Sequence, residues 1–282
     1  MNLLRLEKRI YEIIPGALVW TTIILSLILS YHRPLWMVYF IIVYDLYWLF
    51  RVVYFLPFSI ISWFKYKTHI KKDWLAMARA QTGFEEVYHV ILLPTVKEDI
   101  VVLRDCLNSL LASAYPKEKM IVVLGGEERA REAFEPKAEI IRHEYADKFF
   151  GFLTTLHPKD LPGEIVGKGS NVNWMGHRVL DEVQRLGLDI DKIIVSSFDV
   201  DTVTHPQYFA CVTYNFLTIE DPHRSSYQPG VLYNNNLWES PAPVRVAMFG
   251  TTFWLMTELA RPAGMMTFSS NSMRCLLYTS DA

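Results

Sequence analysis

The sequence is poor in several features that mark common protein classes. Its three cysteines, Cys106, Cys211 and Cys275, lie far apart and form no C-x-x-C pair. This spacing offers neither a disulfide framework nor a zinc site, and it is typical of a reducing compartment. The net charge is only -2, whereas a general nucleic-acid binder carries a basic patch or stripe. We therefore expect no nucleic-acid partner.

Complete phosphate-loop motifs are absent as well. The run GKGSN at residues 167–171 opens a predicted helix, but Gly163 is one residue too close to Gly167 for a Walker A motif, and Gly169 follows Lys168 where Ser or Thr is required. G-x-G-x-x-G fails because Val172 takes the last position. Lys168 at a helix N-terminus could still neutralise a phosphate; a solvated lysine on a turn is the equal alternative.

Hydrophobic residues, in contrast, make up 51% of the chain, and the excess lies near the N-terminus. Residues 13–31 carry no charge and are long enough for a helix to cross ~30 Å of hydrocarbon. Residues 35–56 follow, with Asp45 and Arg51 as their only charges. A cleaved signal peptide is the alternative for the first span, but no small-residue cleavage site follows it. The pattern therefore predicts a transmembrane helical hairpin over residues 1–62.

Basic residues predict the orientation of this hairpin. They are Arg5, Lys8 and Arg9 before the first span and Lys65, Lys67, Lys71 and Lys72 after the second, with only Arg33 between the spans. By the positive-inside rule both ends face the cytoplasm, so we expect a multi-pass protein of the cell (inner) membrane with a cytoplasmic catalytic domain. Residues 62–79 mix aromatic residues with lysines. They predict an amphipathic helix on the anionic leaflet, within a juxtamembrane linker over residues 63–86.

Beyond this linker, apolar runs alternate with helical patterns. The predicted strands are residues 88–95, 119–126, 149–156 and 192–199. The predicted helices are residues 98–113, 127–148, 171–187, 205–218 and 243–259. The second helix is expected to be interrupted at Pro136, and the fourth to have Thr204 as its N-cap. Strands that alternate with helices pair in parallel. Residues 87–282 therefore predict one α/β domain with a mostly parallel sheet and helices on both faces.

Polar residues follow three of these strands, at the sheet edge where α/β proteins bind ligands. They are residues 95–98, 125–127 and 199–201. Asp199 and Asp201 are one residue apart, so both carboxylates project to one side of an extended chain. With no Lys or Arg nearby in the sequence to pair them, they predict a site for a hard divalent cation, and Mg²⁺ suits one or two carboxylates plus substrate phosphates. Ordinary polar turn residues are the alternative.

Three motifs resemble, in order and spacing, those of family 2 glycosyltransferases of the GT-A fold. That family shows P-x-x-N-E after its first strand, K-x-x-x-x-N at a helix start and D-x-D at the end of a later strand. This chain has PTVKE at residues 94–98, KGSNVN at 168–173 and DVD at 199–201. The resemblance covers residues 87–273. It implies a GT-A (Rossmann-like) sheet, a nucleotide-diphospho-sugar donor, Mg²⁺ or Mn²⁺, and inverting transfer to an acceptor hydroxyl.

Carried over by position, the resemblance assigns Thr95, Glu98, Lys168, Asn173 and Asp199 to the donor site. Asp199 would hold ribose or sugar hydroxyls beside a metal shared with Asp201, which stabilises the departing nucleoside diphosphate as a Lewis acid. The membrane location suggests a lipid-linked or polysaccharide acceptor.

The chain also departs from the family pattern. The usual acidic residue at the end of the second strand is replaced by Leu-Gly-Gly at residues 124–126, and Glu127 would take its place in the donor site. Lys97 stands where Asn is usual. The later acidic motif that supplies the general base is not recognisable after the D-x-D, and the last residues do not continue the pattern. We therefore expect a C-terminally truncated chain whose catalytic base lies beyond its end.

Two other functions fit parts of the pattern. D-x-D-x-V after an apolar strand also fits haloacid-dehalogenase-type phosphohydrolases, in which Asp199 would be a covalent nucleophile and Asp201 a general acid/base. That machinery requires a downstream lysine and an acidic pair, and no lysine follows Lys192. A membrane domain without its base could instead bind nucleotide sugars without catalysis.

Overall fold

The computed structural model describes residues 3–165, 167–233, 237–238, 240–261 and 270–275. The chain divides into two compact units, residues 1–60 and 61–282. Helix α1 (Leu3–His32) lies in the first unit, and helix α2 (Pro34–His69) begins there. Both helices are long and apolar enough to cross a membrane. The two predicted apolar helices are therefore confirmed, and their insertion into a membrane stays a prediction.

The segment after the second apolar span differs from the prediction. Helix α2 continues to His69, and a separate helix α3 (Trp74–Arg79) follows. Asp73 caps α3, because its Oδ1 accepts the backbone N–H of Ala76 at 3.1 Å. The expectation of one amphipathic helix over residues 62–79 is wrong for two physical reasons. An N-cap aspartate starts a new helix, and the Trp74 indole is buried beside the Tyr214 ring, with 5.6 Å between ring centroids.

A six-stranded sheet forms the centre of the described part of the second unit. Its strands are β1 (Tyr88–Pro94), β2 (Met120–Glu127), β3 (Gly151–His157), β4 (Ile193–Ser197), β5 (Ser226–Tyr227) and β6 (Asn271–Arg274). They lie in the order β3-β2-β1-β4-β6-β5. The first four are parallel, and β6 is antiparallel to both β4 and β5. The predicted α/β class with a mostly parallel sheet is confirmed.

Helices cover both faces of this sheet, because alternate residues of a buried strand point to opposite sides. The helices are α4 (Ile100–Leu111), α5 (Arg131–Tyr145), α6 (Lys168–Arg185) and α7 (Tyr208–Thr218). Helix α8 (Ala242–Glu258) follows β5 in the chain and contributes no residue to the described core clusters of the sheet. Ile91 and Leu93 of β1 share a core cluster with α4, α5 and α7. Val90 and Leu92 pack with α6 in a second cluster. Helix α6 therefore lies on the opposite face of the sheet from α4, α5 and α7.

Two predicted helix details are wrong. Helix α5 runs without interruption through Pro136. Pro136 removes one backbone hydrogen bond, but the burial of Phe134, Ala138 and Ile141 around it holds the helix together. Helix α7 begins at Tyr208 and is not capped by Thr204, whose backbone N–H instead donates to Ser109 Oγ at 3.1 Å.

Strands β5 and β6 are not predicted by the sequence. Both are short and polar, and they show no alternation of apolar residues. Their pairing depends on tertiary contacts, such as the 2.6 Å hydrogen bond between the hydroxyls of Ser196 on β4 and Ser272 on β6.

Candidate functional site

A cavity of about 870 Å³ lies at the carboxyl ends of β1, β2 and β4. This volume is within the range of small-molecule sites. Its polar lining includes Glu98, Glu127, Arg129, Lys168, Asn171, Asp199, Asp201, Thr202, Thr204, His205 and Ser270, and its apolar lining includes Tyr66, Ile70, Tyr208, Val231, Leu232 and Met248. The fold thus brings together five residues that the sequence assigns to the site: Glu98, Glu127, Lys168, Asp199 and Asp201. Thr95 and Asn173 are not among the lining residues.

The carboxylate of Glu98 organises the loop after β1. Its Oε2 accepts hydrogen bonds from the Thr95 hydroxyl at 2.6 Å and from the backbone N–H groups of Val96 at 2.7 Å and Lys97 at 2.9 Å. Burial by itself raises the pKa of this carboxyl, but these hydrogen bonds outweigh it and hold the pKa below its usual value. Thr95 is buried and acts within the loop. Glu98 therefore stays ionised and fixes the loop that borders the cavity.

Asp199 forms an ion pair that the sequence does not predict. Lys168 Nζ lies 2.5 Å from Asp199 Oδ1. The expectation that no Lys or Arg pairs the acidic residues is therefore wrong, because the fold places the first residue of α6 opposite the end of β4, 31 residues away in the sequence. Both side chains are partly exposed, at 36% and 46%, so incoming ligand atoms can compete for this contact.

Asp201 lies beside Asp199 in an unfavourable environment for a negative charge. Burial raises the pKa of the Asp201 carboxyl, and the nearby Asp199 and Glu98 carboxylates raise it further, against a backbone hydrogen bond and Lys168. A divalent cation would relieve this repulsion, and carboxylate oxygens are ligands that Mg²⁺ accepts. Among the described residues no group of three or more His, Cys, Asp or Glu side chains converges on one point. A divalent cation held by Asp199 and Asp201 would therefore take its remaining ligands from a bound phosphate or from water.

Glu127 ends β2 and faces the cavity. Its side chain is 7% exposed and is paired with Arg129, a lining residue that the motif resemblance does not select. An acidic residue followed two positions later by an arginine is the only sequence signal for this pair. The two side chains present an acceptor and a donor at the β2 side of the cavity.

Helix α6 places Asn171 in the cavity and Asn173 outside it. Residues three and four apart share a helix face, so Asn171 lies on the side of Lys168. It is 1% exposed, and its Nδ2 donates to the carbonyl oxygen of Gly125 at 3.1 Å. Asn173 is exposed. Helical spacing from Lys168 is the signal that would have selected Asn171.

Of the acidic residues after Asp221, the structure describes Glu258, which does not line the cavity. Glu258 is buried and paired with Arg261 at 2.7 Å. Glu239, Asp281 and the segment expected to diverge from the family pattern after Cys275 lie outside the described residues. The general base stays unassigned.

Comparisons with known proteins give no family assignment. No model of a protein family matches the sequence, and no curated protein matches it. Similar solved structures include the mannosyltransferase PcManGT from Pyrobaculum calidifontis in complex with GDP-Man and Mn²⁺, with 15% identity, a TM-score of 0.41 and coverage of 79% of this chain and 54% of that one. Residues 1–349 of TarS from S. aureus match with 11% identity, a TM-score of 0.38 and coverage of 68% and 48%. The same TarS segment with UDP-GlcNAc matches with 10% identity, a TM-score of 0.36 and coverage of 68% and 46%. The chain spans about half the length of these structures.

Proposed function

We propose that this protein is a glycosyltransferase that transfers a sugar from a nucleotide-diphospho-sugar to an acceptor hydroxyl. The main support for this proposal is the cavity at the carboxyl ends of β1, β2 and β4. Asp199, Asp201 and Lys168 meet there beside the loop that is held by hydrogen bonds to Glu98. A nucleoside diphosphate needs these features: positive charge for its phosphates, oxygen ligands for an accompanying metal, and polar groups for its nucleoside. Inversion at the anomeric carbon follows from the motif resemblance.

In this proposal Asp201 and Asp199 would hold Mg²⁺ or Mn²⁺. When bound, such a metal neutralises charge that develops on the departing diphosphate. Lys168 exchanges its contact with Asp199 for a donor phosphate, because an ammonium group at the start of α6 has donors only and suits an anion. Glu98 holds the loop after β1 in place, and Glu127 with Arg129 offers polar contacts to the nucleoside.

The location follows from the N-terminal segment. We propose a multi-pass protein of the cell (inner) membrane whose α/β domain faces the cytoplasm, supported by two long apolar helices and by the basic residues that flank them. A lipid-linked or polysaccharide acceptor suits this location. The apolar part of the cavity lining, which includes Ile70, Leu232 and Met248, is compatible with either one.

The direct test is turnover of nucleotide sugars by the full chain in detergent. UDP-glucose, UDP-N-acetylglucosamine and GDP-mannose are incubated with Mg²⁺ or Mn²⁺, and release of the nucleoside diphosphate is measured. We expect metal-dependent release from one donor, loss of that release in Asp201→Asn, and no change in Asp105→Asn, whose side chain is exposed on α4. Release that is unaffected by Asp201→Asn would contradict the metal role.

The two alternatives give different outcomes in the same assay. The structure supplies a lysine to Asp199 from an upstream position, so the absence of a downstream lysine does not by itself separate the transferase from a phosphohydrolase. Hydrolysis of p-nitrophenyl phosphate that is abolished by Asp199→Asn would favour the phosphohydrolase. Donor binding with neither hydrolysis nor transfer would favour a binding module.

A further inference from the structure

Helix α6 brings two side chains of different chemistry to the cavity, Lys168 and Asn171. A helix turns once every 3.6 residues, so residues 168, 171, 172 and 175 share one face. Val172 and Met175 of this face are packed against the sheet. The helix face is therefore fixed, and the backbones of the two polar residues at its start cannot turn away from the cavity independently of each other.

The amide of Asn171 is held from one side. Its Nδ2 donates to the carbonyl oxygen of Gly125 at 3.1 Å, and the same oxygen accepts the backbone N–H of Thr95 at 2.8 Å. A carbonyl oxygen requires a donor, so the nitrogen of the amide, and not its oxygen, faces Gly125. This contact fixes the orientation of the whole side chain.

The other half of the amide lacks a partner. Asn171 is 1% exposed, and its Oδ1 has no hydrogen-bond partner among the described residues. A buried acceptor without a donor is rare, because the oxygen has lost its water and gained nothing in exchange. Since Asn171 lines the cavity, a ligand bound there can supply the missing donor.

We propose that Asn171 recognises the nucleoside half of the donor by accepting a hydrogen bond from one of its O–H or N–H groups; this inference rests on the proposed function. An ionised phosphate has no hydrogen to donate, so Oδ1 cannot serve the diphosphate. The sheet order agrees with this division. Gly125 belongs to β2, Asp199 and Asp201 follow β4, and β1 lies between these strands. A diphosphate at the acidic pair therefore leaves the β2 side, where Asn171 lies, for the nucleoside.

The test compares ligands with and without a nucleoside. The affinities of GDP, UDP, CDP, ADP and pyrophosphate for the full chain in detergent are measured by calorimetry with Mn²⁺. Leucine has the same number and branching of side-chain heavy atoms as asparagine but no polar group, so we compare Asn171→Leu with Gln184→Leu at an exposed position of the same helix. We expect Asn171→Leu to weaken the best nucleoside diphosphate by about tenfold or more, as for one lost hydrogen bond to a buried partner. Pyrophosphate affinity should stay within about twofold, and Gln184→Leu should change neither affinity.

A second arm varies the nucleotide, and its titrations of the wild-type protein do not depend on how the variant folds. Analogues of the best nucleotide that lack the 2′-hydroxyl, the 3′-hydroxyl or a base N–H are titrated in turn. One of them should bind the wild type about tenfold more weakly and should bind Asn171→Leu no more weakly than the parent nucleotide does.

Three results would overturn the inference. Equal losses of pyrophosphate and nucleotide affinity in Asn171→Leu would mean that the amide only holds α6 in place. A loss confined to nucleotide sugars would mean that it contacts the sugar. Unchanged affinity for every analogue would mean that water supplies the donor. If no nucleoside diphosphate binds the wild type at all, the proposed function itself fails.

Discussion

Replacing Gly125 with alanine tests whether the close packing of α6 on β2 holds the site together. Gly125 and Gly126 are neighbours in β2, so side chains added to them would point to opposite faces of the sheet. A Cβ at position 125 would lie 2.3 Å from Sδ of Met175 on α6. A Cβ at position 126 would lie 2.5 Å from the ring of Phe134 on α5. The two substitutions therefore add the same methyl group to opposite sides of one strand.

The expected cost follows from this packing. Both distances are shorter than van der Waals contact, and Met175 and Phe134 are 0% and 6% exposed, so neither side chain can turn into solvent. Overpacking a core costs ~1–3 kcal/mol of unfolding free energy, and we expect a loss of this size in each variant. Only Gly125→Ala displaces α6, and a shift of about 1 Å at a binding group can lower function ~100-fold. Nucleoside diphosphate affinity should therefore fall by at least about tenfold in Gly125→Ala and stay within about twofold in Gly126→Ala.

Two measurements on the full chain in detergent decide this prediction. Urea unfolding followed by tryptophan fluorescence gives the stability, and calorimetry with Mn²⁺ and the best-binding nucleotide gives the affinity. Met175→Ala removes the clashing atoms. The double variant with Gly125→Ala should therefore lose less unfolding free energy than the two single variants lose in sum. Equal affinity losses in Gly125→Ala and Gly126→Ala would refute the reasoning. Wild-type stability and affinity in Gly125→Ala would refute it as well.

Three further predictions concern ionisable groups. Burial lowers the pKa of His89 to about 3, so only the unfolded chain takes up a proton at this residue as the pH falls below 6.5. The free energy of unfolding should therefore fall by ~3 kcal/mol by about pH 4.5. In urea unfolding, His89→Gln should reduce this dependence on pH, whereas His177→Gln, at an exposed position, should not. Hydrogen bonds to the Glu98 carboxylate stabilise the protein at pH values above the ordinary pKa of this group. They are lost as the pH falls through the lower pKa that this carboxyl has in the folded protein. Glu98→Ala should therefore cost ~1 kcal/mol at pH 7, a value reduced for partial exposure, and less in acid. Burial and then Asp199 raise the pKa of Asp201, so its ionised form destabilises the fold at neutral pH, and without metal Asp201→Asn should melt at or above the wild-type temperature.

The central strands could be predicted because their chemistry is local. β1, β2 and β4 each contain a buried apolar run, at residues 90–93, 120–124 and 193–195. Residues that cannot extend a buried strand, such as Pro94 and Asp199, follow these runs. Parallel pairing then places their carboxyl ends at one edge. For this reason the sequence could also indicate where the cavity lies and most of its acidic residues.

The contacts inside the cavity could not be predicted in this way. The ion pair between Lys168 and Asp199 joins residues 31 positions apart, and only the packing of α6 on the sheet brings them together. Motif matching selects Asn173, whereas helical geometry places Asn171 beside the ligand space. Strand β6 shows no apolar alternation in the sequence. Its position depends on the hydrogen bond between Ser196 and Ser272 and on its pairing with β4.

The most direct test of the account is whether a divalent metal and a nucleoside diphosphate bind this cavity cooperatively. Mn²⁺ binding to the full chain is measured by electron paramagnetic resonance with and without GDP or UDP, and nucleotide affinity is measured with and without Mn²⁺. Binding free energies are coupled reciprocally, so each ligand should raise the affinity of the other by the same factor, about tenfold or more. This coupling should disappear in Asp201→Asn and persist in Asp105→Asn. Independent binding of metal and nucleotide, or coupling that survives Asp201→Asn, would contradict the assignment of this cavity as a metal-assisted donor site.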